Sequence, residues 1–266
     1  MTARLNRPAT QDGLFLWVMH RFAEVFEEHA VIKGGMVLKL LDSPRHTMDI
    51  DYVFVPYSSK KEIVDRIDTV LHEIEGAVIA IKLHSKMVSA DLHVDGAAIQ
   101  IEADVATECE AIPMATGGFA QSVGHPSQIV RVMNPSHALA HKIAAWNERR
   151  LLRDLYDCYF LSSRAGASPD LEVLDLRLAK IQSRLPRLKK LHSMSRNQLT
   201  DELRLAVTDL SDTDLEHELL GLLPLEELAG LSIRIRVSVE KLTTLLLHDV
   251  SGFQDPRDSG CRARLC

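Results

Sequence analysis

The sequence predicts an α/β protein, with a mixed sheet and flanking helices in the first half and helices in the second. Three observations carry that reading. Short β-prone runs at 31–32, 50–55, 77–83, 87–94 and 97–105 alternate with helix-periodic segments. Asp95-Gly96, between the last two runs, is a strong hairpin signal, so part of the sheet is antiparallel. From about residue 135 the pattern turns helical and leucine is abundant. This gives an α/β core at 1–130, a helical subdomain at 131–250 and a flexible tail at 251–266 that is rich in Asp, Arg, Gly and Ser.

Each element has its own justification. Leu14, Trp17, Val18, Phe22, Val25 and Phe26 recur at helical spacing over 10–29, and the acidic end of that helix (Glu24, Glu27, Glu28) reads as solvated. Val31-Ile32 enters a strand, Gly34-Gly35 is a turn and 36–41 a short helix. Asp42-Ser43-Pro44 ends that helix, because proline disfavours helix in the residue before it. Ile63, Ile67, Val70, Leu71 and Ile74 share one face of a helix over 58–75. In the second half, helices are expected over 136–163, 170–190, 198–209 and 223–247. No internal repeat is present.

Composition bounds the class. A chain of 266 residues with 46% hydrophobic and 26% charged residues has ordinary globular composition and can bury a large core. A net charge of −6 argues against a protein coated in positive charge for nucleic acid, but leaves room for a local basic patch. Cys109, Cys158, Cys261 and Cys266 show no Cys-x-x-Cys spacing and read as free thiols in a reducing compartment. The N-terminus lacks the apolar core of a signal peptide, and no apolar run is long enough to span a membrane. A cytoplasmic protein with no membrane contact is expected.

The chemistry is concentrated in two neighbouring runs, Lys33-Gly34-Gly35 and Asp49-Ile50-Asp51. In a strand, Asp49 and Asp51 point to one face. Carboxylates held that close repel unless a cation lies between them, and hard oxygen ligands suit Mg²⁺. The glycine pair lets backbone approach a phosphate with no Cβ in the way. Either motif alone is common on solvated turns. Their order and spacing is more specific, and points to a metal-dependent enzyme acting on a nucleoside triphosphate. Glu102 and Asp104 sit at i and i+2 of the 97–105 strand and offer a third carboxylate, as a one- or two-metal site requires. The pattern alone does not separate them.

A second cluster lies in 137–157. Taken as one helix, it brings Lys142, Arg149, Arg150, Arg153 and Asp157 into an arc of roughly 100°, with Ala144, Leu151, Leu152, Leu155, Cys158 and Tyr159 facing the core. A basic face with one acid can hold a triphosphate. The plainer alternative is a solvated face with an Arg153–Asp157 ion pair. A break near Asn147 would loosen this geometry. His137 and His141 have a spacing that can hold zinc, but no Glu stands at 138, so the zinc-protease motif is absent.

These residues together resemble the AbiEii/MenT-like nucleotidyltransferase toxins of bacterial type IV toxin–antitoxin modules. Lys33-Gly34-Gly35-Met36-Val37-Leu38 is similar to that family's Gly-Gly motif, and Arg45-His46-Thr47-Met48-Asp49-Ile50-Asp51 to its Arg-x-Ser-x-Asp-Ile-Asp motif. Ile99-Gln100-Ile101-Glu102 resembles its third strand motif, which favours Glu102 over Asp104. Lys142 with Arg153-Asp154-Leu155-Tyr156-Asp157 resembles its last motif. The likeness covers roughly 30–165. Met36 stands where Thr is usual, Thr47 where Ser is usual and Gln100 where Lys is common.

The resemblance implies a DNA-polymerase-β-like nucleotidyltransferase core with the helical subdomain completing the site. It implies transfer of a nucleotide from an NTP, with release of pyrophosphate, in the presence of Mg²⁺ or Mn²⁺. The implied acceptor is the 3′ end of tRNA, and the implied partner a cognate antitoxin that need not touch the toxin. Asp49 and Asp51 would hold the metal. Lys33, Gly34, Gly35, Arg45, Thr47 and Arg153 would bind the nucleotide, and Lys142 would neutralise phosphate charge. Asp157 would take the acceptor's proton or orient Lys142, and Glu102 or Asp104 would complete the metal shell or act as base. Two alternatives remain: transfer to a small molecule or a protein side chain, or a nucleotide-binding module without turnover. A tRNA enzyme needs basic surface beyond the cleft. The one clear basic cluster lies near 149–153; a second, Arg184, Arg187, Lys189 and Lys190, could touch RNA but reads better as a solvated helix end.

Overall fold

The computed structural model describes residues 8–247. The expected tail at 251–266, with Cys261 and Cys266, and the N-terminal segment 1–7 lie outside the described residues. Helix α1 (Gln11–Phe26) starts at Thr10, whose side chain accepts from Gly13 N at 3.1 Å. One turn of 3-10 helix, Glu27–His29, leads into β1 (Ala30–Lys33). Then come α2 (Gly35–Leu40), β2 (Asp49–Phe54), α3 (Lys61–Leu71), β3 (Val78–Leu83), β4 (Val88–Val94) and β5 (Ala97–Val105). The hairpin at Asp95-Gly96 is present, with φ of 48° and 87°, as a tight two-residue turn requires.

Two further strands that the sequence reading does not provide join the sheet, β6 (Ala111–Ala115) and β7 (Ile129–Met133), with the short helix α4 (Gly117–Ser122) between them. The run Ile-Val-Arg-Val-Met of β7 carries a legible strand signal. By contrast, β6 is short, half-exposed and interrupted by Pro113, so its pattern is weak. The seven strands are ordered β3-β4-β5-β2-β1-β7-β6. The pairs β2–β5 and β1–β7 are parallel and the rest antiparallel.

Alternation along the strands sets two faces. Ile32, Ile50, Tyr52, Phe54, Leu92, Ile99 and Ile101 are buried on one, and α1 and α3 pack there. Phe22 and Phe26 of α1 meet Tyr52 and Phe54 with ring centroids 5.0 Å (Phe22–Tyr52) and 4.7 Å (Phe26–Phe54) apart. Such aromatic contacts add to the burial itself. The other face stays open and carries the polar residues.

The second half is helical, but more broken than its periodicity suggests. The expected helix over 136–163 is two, α5 (Pro135–Arg149) and α6 (Leu152–Tyr159), followed by one π turn over Phe160–Arg164. Arg150 breaks it in the left-handed conformation, φ 60°. Its guanidinium bonds Asn147 O, Asn147 Oδ1 and Glu202, each at 3.0 Å, and lies 4.4 Å from the Trp146 ring. These tertiary contacts outweigh helix propensity. The expected 170–190 helix ends as α7 (Leu171–Leu178) and restarts as α8 (Pro186–Lys189), since Pro186 can begin a helix but not continue one. Capping boxes at Ser195 and Ser211 start α9 (Arg196–Thr208) and α10 (Asp212–Leu219), the latter not expected. Gly230, φ 65°, divides the expected 223–247 helix into α11 (Leu225–Leu228) and α12 (Leu231–Leu247). Among the described residues, no helix is long and apolar enough to cross a membrane.

Two buried polar groups make this fold testable. The Tyr52 hydroxyl is buried and has no hydrogen-bond partner among the described residues. Tyr52→Phe should therefore raise unfolding free energy by about 1 kcal/mol in urea titrations, because an unsatisfied buried hydroxyl costs more than a phenyl edge. His20 packs inside, its Nε2 3.0 Å from Thr116 Oγ1. Burial lowers its pKa from 6.5 to about 4, with Glu24 opposing and His125 adding to the shift. The folded state thus prefers neutral His20, and this stability is in place above pH 6.5 and lost as pH falls through 6.5 towards 4. The stability difference between wild type and His20→Gln should shrink over that range. Parallel curves would contradict it.

Candidate active site

The open face of the sheet gathers the charged residues. Antiparallel β1–β2 pairing sets Lys33 opposite Asp51, and parallel β2–β5 pairing sets Asp51 opposite Glu102. Lys33, Asp51 and Glu102 therefore form a row across three strands, with Asp49 one step along the same face, opposite Gln100. Asp104 lies opposite Val53, farther from Asp49, and its Oδ1 accepts from Val105 N at 2.8 Å. The register makes Glu102, not Asp104, the direct neighbour of Asp51.

Asp51 shows what this crowding does. Burial raises its pKa to about 6, Asp49 and Glu102 push the same way, and Lys33 and Lys142 oppose them. Thr47 Oγ1 donates to Asp49 Oδ1 at 2.8 Å and fixes that carboxylate. A divalent cation with hard oxygen ligands fits this donor set.

The glycines are demanded by contact. Gly34 has φ 71°, and a Cβ there would lie 1.8 Å from Asp51 Oδ2. A Cβ on Gly35 would lie 2.7 Å from Thr47 Oγ1 and 2.9 Å from Arg45 Nη2. The turn thus presses against the carboxylate and the two side chains around it. Met36 is fully buried in the core and does not reach the cleft.

Across the cleft, α6 supplies Asp157, 1% exposed. Its Oδ2 lies 2.6 Å from Lys142 Nζ of α5, and its Oδ1 2.7 Å from Arg45 Nε. The Arg45 Nε–H is turned off that line, and the hydrogen bond of the pair runs instead from Arg45 Nη2 to Asp157 Oδ2 at 3.3 Å. A buried carboxylate needs such partners. The Arg153–Asp157 ion pair of the one-helix reading does not form. The break at Arg150 dissolves the common arc: Arg149 pairs with Asp154 at 2.7 Å, Arg150 turns to Glu202, and Arg153 stays exposed on the cleft wall.

The cleft is about 1290 Å³, and its lining includes Lys33, Gly34, Gly35, Arg45, Thr47, Asp49, Asp51, Asp104, Lys142, Arg153 and Asp157. Glu102 lines a small adjoining pocket with Lys33 and Asp104. Arg184, Arg187, Lys189 and Lys190 are exposed elsewhere, and Arg187 pairs with Glu202. His137 and His141 do not converge on one ion. His137 Nε2 lies 3.0 Å from Glu110 and 3.2 Å from Asp170, a set whose donor atoms are close enough to hold a cation, whereas His141 turns to Arg177. Glu110, Glu148, Asp170 and Arg177 line the cleft without any local signal in sequence, because they come from three separate segments: the loop before β6, α5, and α7 with its N-cap.

The model of the family described as nucleotidyl transferase AbiEii toxin, type IV toxin–antitoxin system, matches residues 17–229. The chain belongs to the AbiEii family. It is a nucleotidyltransferase and the toxin of a toxin–antitoxin system. Its fold is shared with MenT4, a nucleotidyltransferase toxin from Mycobacterium tuberculosis H37Rv. The TM-score is 0.60 at 17% identity, over 90% of this chain and 84% of that one. It is also shared with JHP933 from Helicobacter pylori, with a TM-score of 0.51 at 14% identity, over 89% and 91% of the two chains. No curated protein matches the chain.

For this AbiEii-family toxin the contact at Gly34 gives a sharp test. Gly34→Ala should leave the fold intact by circular dichroism yet lower the transfer rate roughly 100-fold or more, since a displacement of about 1 Å at reacting groups has that effect. Near wild-type transfer would show that Asp51 tolerates displacement.

Proposed function

We propose that this toxin transfers a nucleotide from an NTP to the 3′ end of tRNA, with Mg²⁺ as its metal and Mn²⁺ as a substitute. The observation that carries the reading is the row of Asp49, Asp51 and Glu102 with Gly34 pressed against Asp51. This is a phosphate-approach turn built onto a metal-binding carboxylate set. Asp49 and Asp51 would hold the metal and Glu102 would complete its shell. Bound there, the metal would offset the negative charge that builds on the departing pyrophosphate.

The chain's own residues do the rest. Gly34 and Gly35 let backbone N–H groups reach the triphosphate, and Lys33, Arg45 and Thr47 stand beside them. Lys142 brings a positive charge to the same wall, and Asp157 fixes both Lys142 and Arg45. Both carboxylate oxygens of Asp157 are engaged, Oδ1 by Arg45 and Oδ2 by Lys142, and on this reading it positions those two cations rather than serving as the base. The acceptor hydroxyl attacks the α-phosphorus, the bond to the bridging oxygen breaks and pyrophosphate leaves. The hydroxyl proton passes to a carboxylate of the strand face, for which Glu102, the register neighbour of Asp51, and Asp104, which lines the cleft, are the candidates.

The cleft is larger than one nucleotide needs, and Arg149 and Arg153 on its wall suit a second, anionic substrate. The resemblance to the toxin family supports tRNA as that substrate and the cytoplasm as the compartment. Glu108, Glu110, Asp170 and Glu172 also line the cleft and favour a second reading, in which the acceptor is a cationic small molecule or protein side chain. Membership of the family implies an antitoxin partner, which on this reading need not contact the site.

The test is incubation with Mg²⁺, each α-labelled NTP in turn and total bacterial tRNA, beside an Asp49→Ala, Asp51→Ala variant. Label on tRNA with the wild type alone is the expected result, and it names the base. Label on protein or on a small molecule would move the acceptor to the second reading. Equal labelling by the variant would remove the two aspartates from the reaction.

A further inference from the structure

His141 stands beside Lys142 on the face of α5 that lines the cleft, one helical turn from Ala138 and from Ala145. Arg177 of α7 reaches its ring, with Nη1 3.0 Å from His141 Nδ1. Guanidinium nitrogens only donate, so Nδ1 must accept and the ring proton must sit on Nε2. Glu148, two turns along α5, holds the other arm of Arg177, its Oε2 2.9 Å from Nη2. Glu148 is itself fixed, since Oε1 accepts from Gln182 N at 3.1 Å. Two helices thus hold one imidazole in one tautomer. Its Nε2 has no partner among the described residues and is not sealed away from the cleft.

The charges around the ring say what Nε2–H would meet. Arg177 from α7, Lys33 from β1 and His137 from the preceding turn all disfavour a proton on Nδ1, and burial is the largest cause, lowering the pKa to about 4. Lys142 and Glu148 flank it on its own helix. A donor that stays neutral beside two cations suits an anion, because it adds a directed hydrogen bond without adding charge to a crowded positive wall.

We propose that His141 is a phosphate-binding residue of the cleft. It is a neutral imidazole, held by Arg177 and Glu148 as the Nε2–H tautomer, that donates to a phosphate oxygen of the substrate. The inference rests on the reading that the cleft takes phosphate-bearing substrates. The phosphate belongs either to the NTP or to the nucleic-acid acceptor.

Long-range ¹H–¹⁵N spectra of the full chain test it. Wild-type His141 should appear as the Nε2–H tautomer and remain neutral from pH 8 to 5.5. In Arg177→Met the ring should titrate nearer 6.5 and populate both tautomers. The ring signals should then be followed during additions of Mg²⁺-tripolyphosphate, each Mg²⁺-NTP and tRNA. A shift with tripolyphosphate and NTP assigns the phosphate to the donor, and a shift with tRNA alone assigns it to the acceptor. In kinetics, His141→Ala should raise KM for that substrate on the order of 10- to 100-fold with little change in kcat. His141→Gln, whose amide reaches to near the Nε2 position, should recover most of it. Melting temperatures of both variants check that they fold.

An Nδ1–H ring, a wild-type titration near 6.5, or no shift with any of the three phosphate ligands would overturn the proposal. So would an unchanged KM in His141→Ala. If tripolyphosphate or tRNA shifts His141 while no NTP supports transfer, the nucleotidyl-donor reading fails and the phosphate contact stands. If transfer proceeds and His141→Ala is unaffected, the reverse holds.

Discussion

Asp157 is the constraint on which the site depends. It lies fully buried on α6, 112 residues from Arg45 in sequence, yet it meets both Arg45 and Lys142. A carboxylate taken out of water must be paired, and losing one partner leaves an uncompensated buried charge. The demand for pairing therefore pins α5 and α6 to the loop before β2, and so to the sheet. His46 N, which donates to Leu222 O at 2.8 Å, adds a second tie between that loop and the helical half. The cleft is the space these ties enclose.

Within the cleft the opposite situation holds. Asp49, Asp51 and Glu102 crowd on one face, and burial first, with its carboxylate neighbours adding, makes Asp51 resist ionisation. One buried carboxylate, Asp157, is thus paired twice over, while three others are left to repel one another. On the proposed function, the crowded set is where a cation and a triphosphate would gain most, because a fixed, poorly solvated arrangement needs no rearrangement when charge moves.

The motifs were legible in the sequence because their geometry is local. Asp49 and Asp51 share a face by strand alternation alone, and the Asp95-Gly96 turn specifies its hairpin within two residues. Gly34 was legible as a turn, but the reason alanine is excluded, contact with Asp51, required the β1–β2 pairing. The single helix over 136–163 failed for the converse reason. Its periodicity continues through Arg150, whose left-handed backbone is stabilised by Glu202, 52 residues away, and by the Trp146 ring. The basic arc read from that helix therefore did not survive.

The sequence by itself determined the reaction class and which candidate residues share a face or a turn, since these rest on spacings of two to four residues along one strand or turn. The tertiary structure decided that Glu102 rather than Asp104 stands beside Asp51, that Asp157 is clamped between Arg45 and Lys142, and that His141 meets Arg177, which Glu148 holds. Each of those decisions is a matter of strand register or of contact between separate elements. Such contacts are chosen by packing and by the pairing of buried charge, and no local pattern records them.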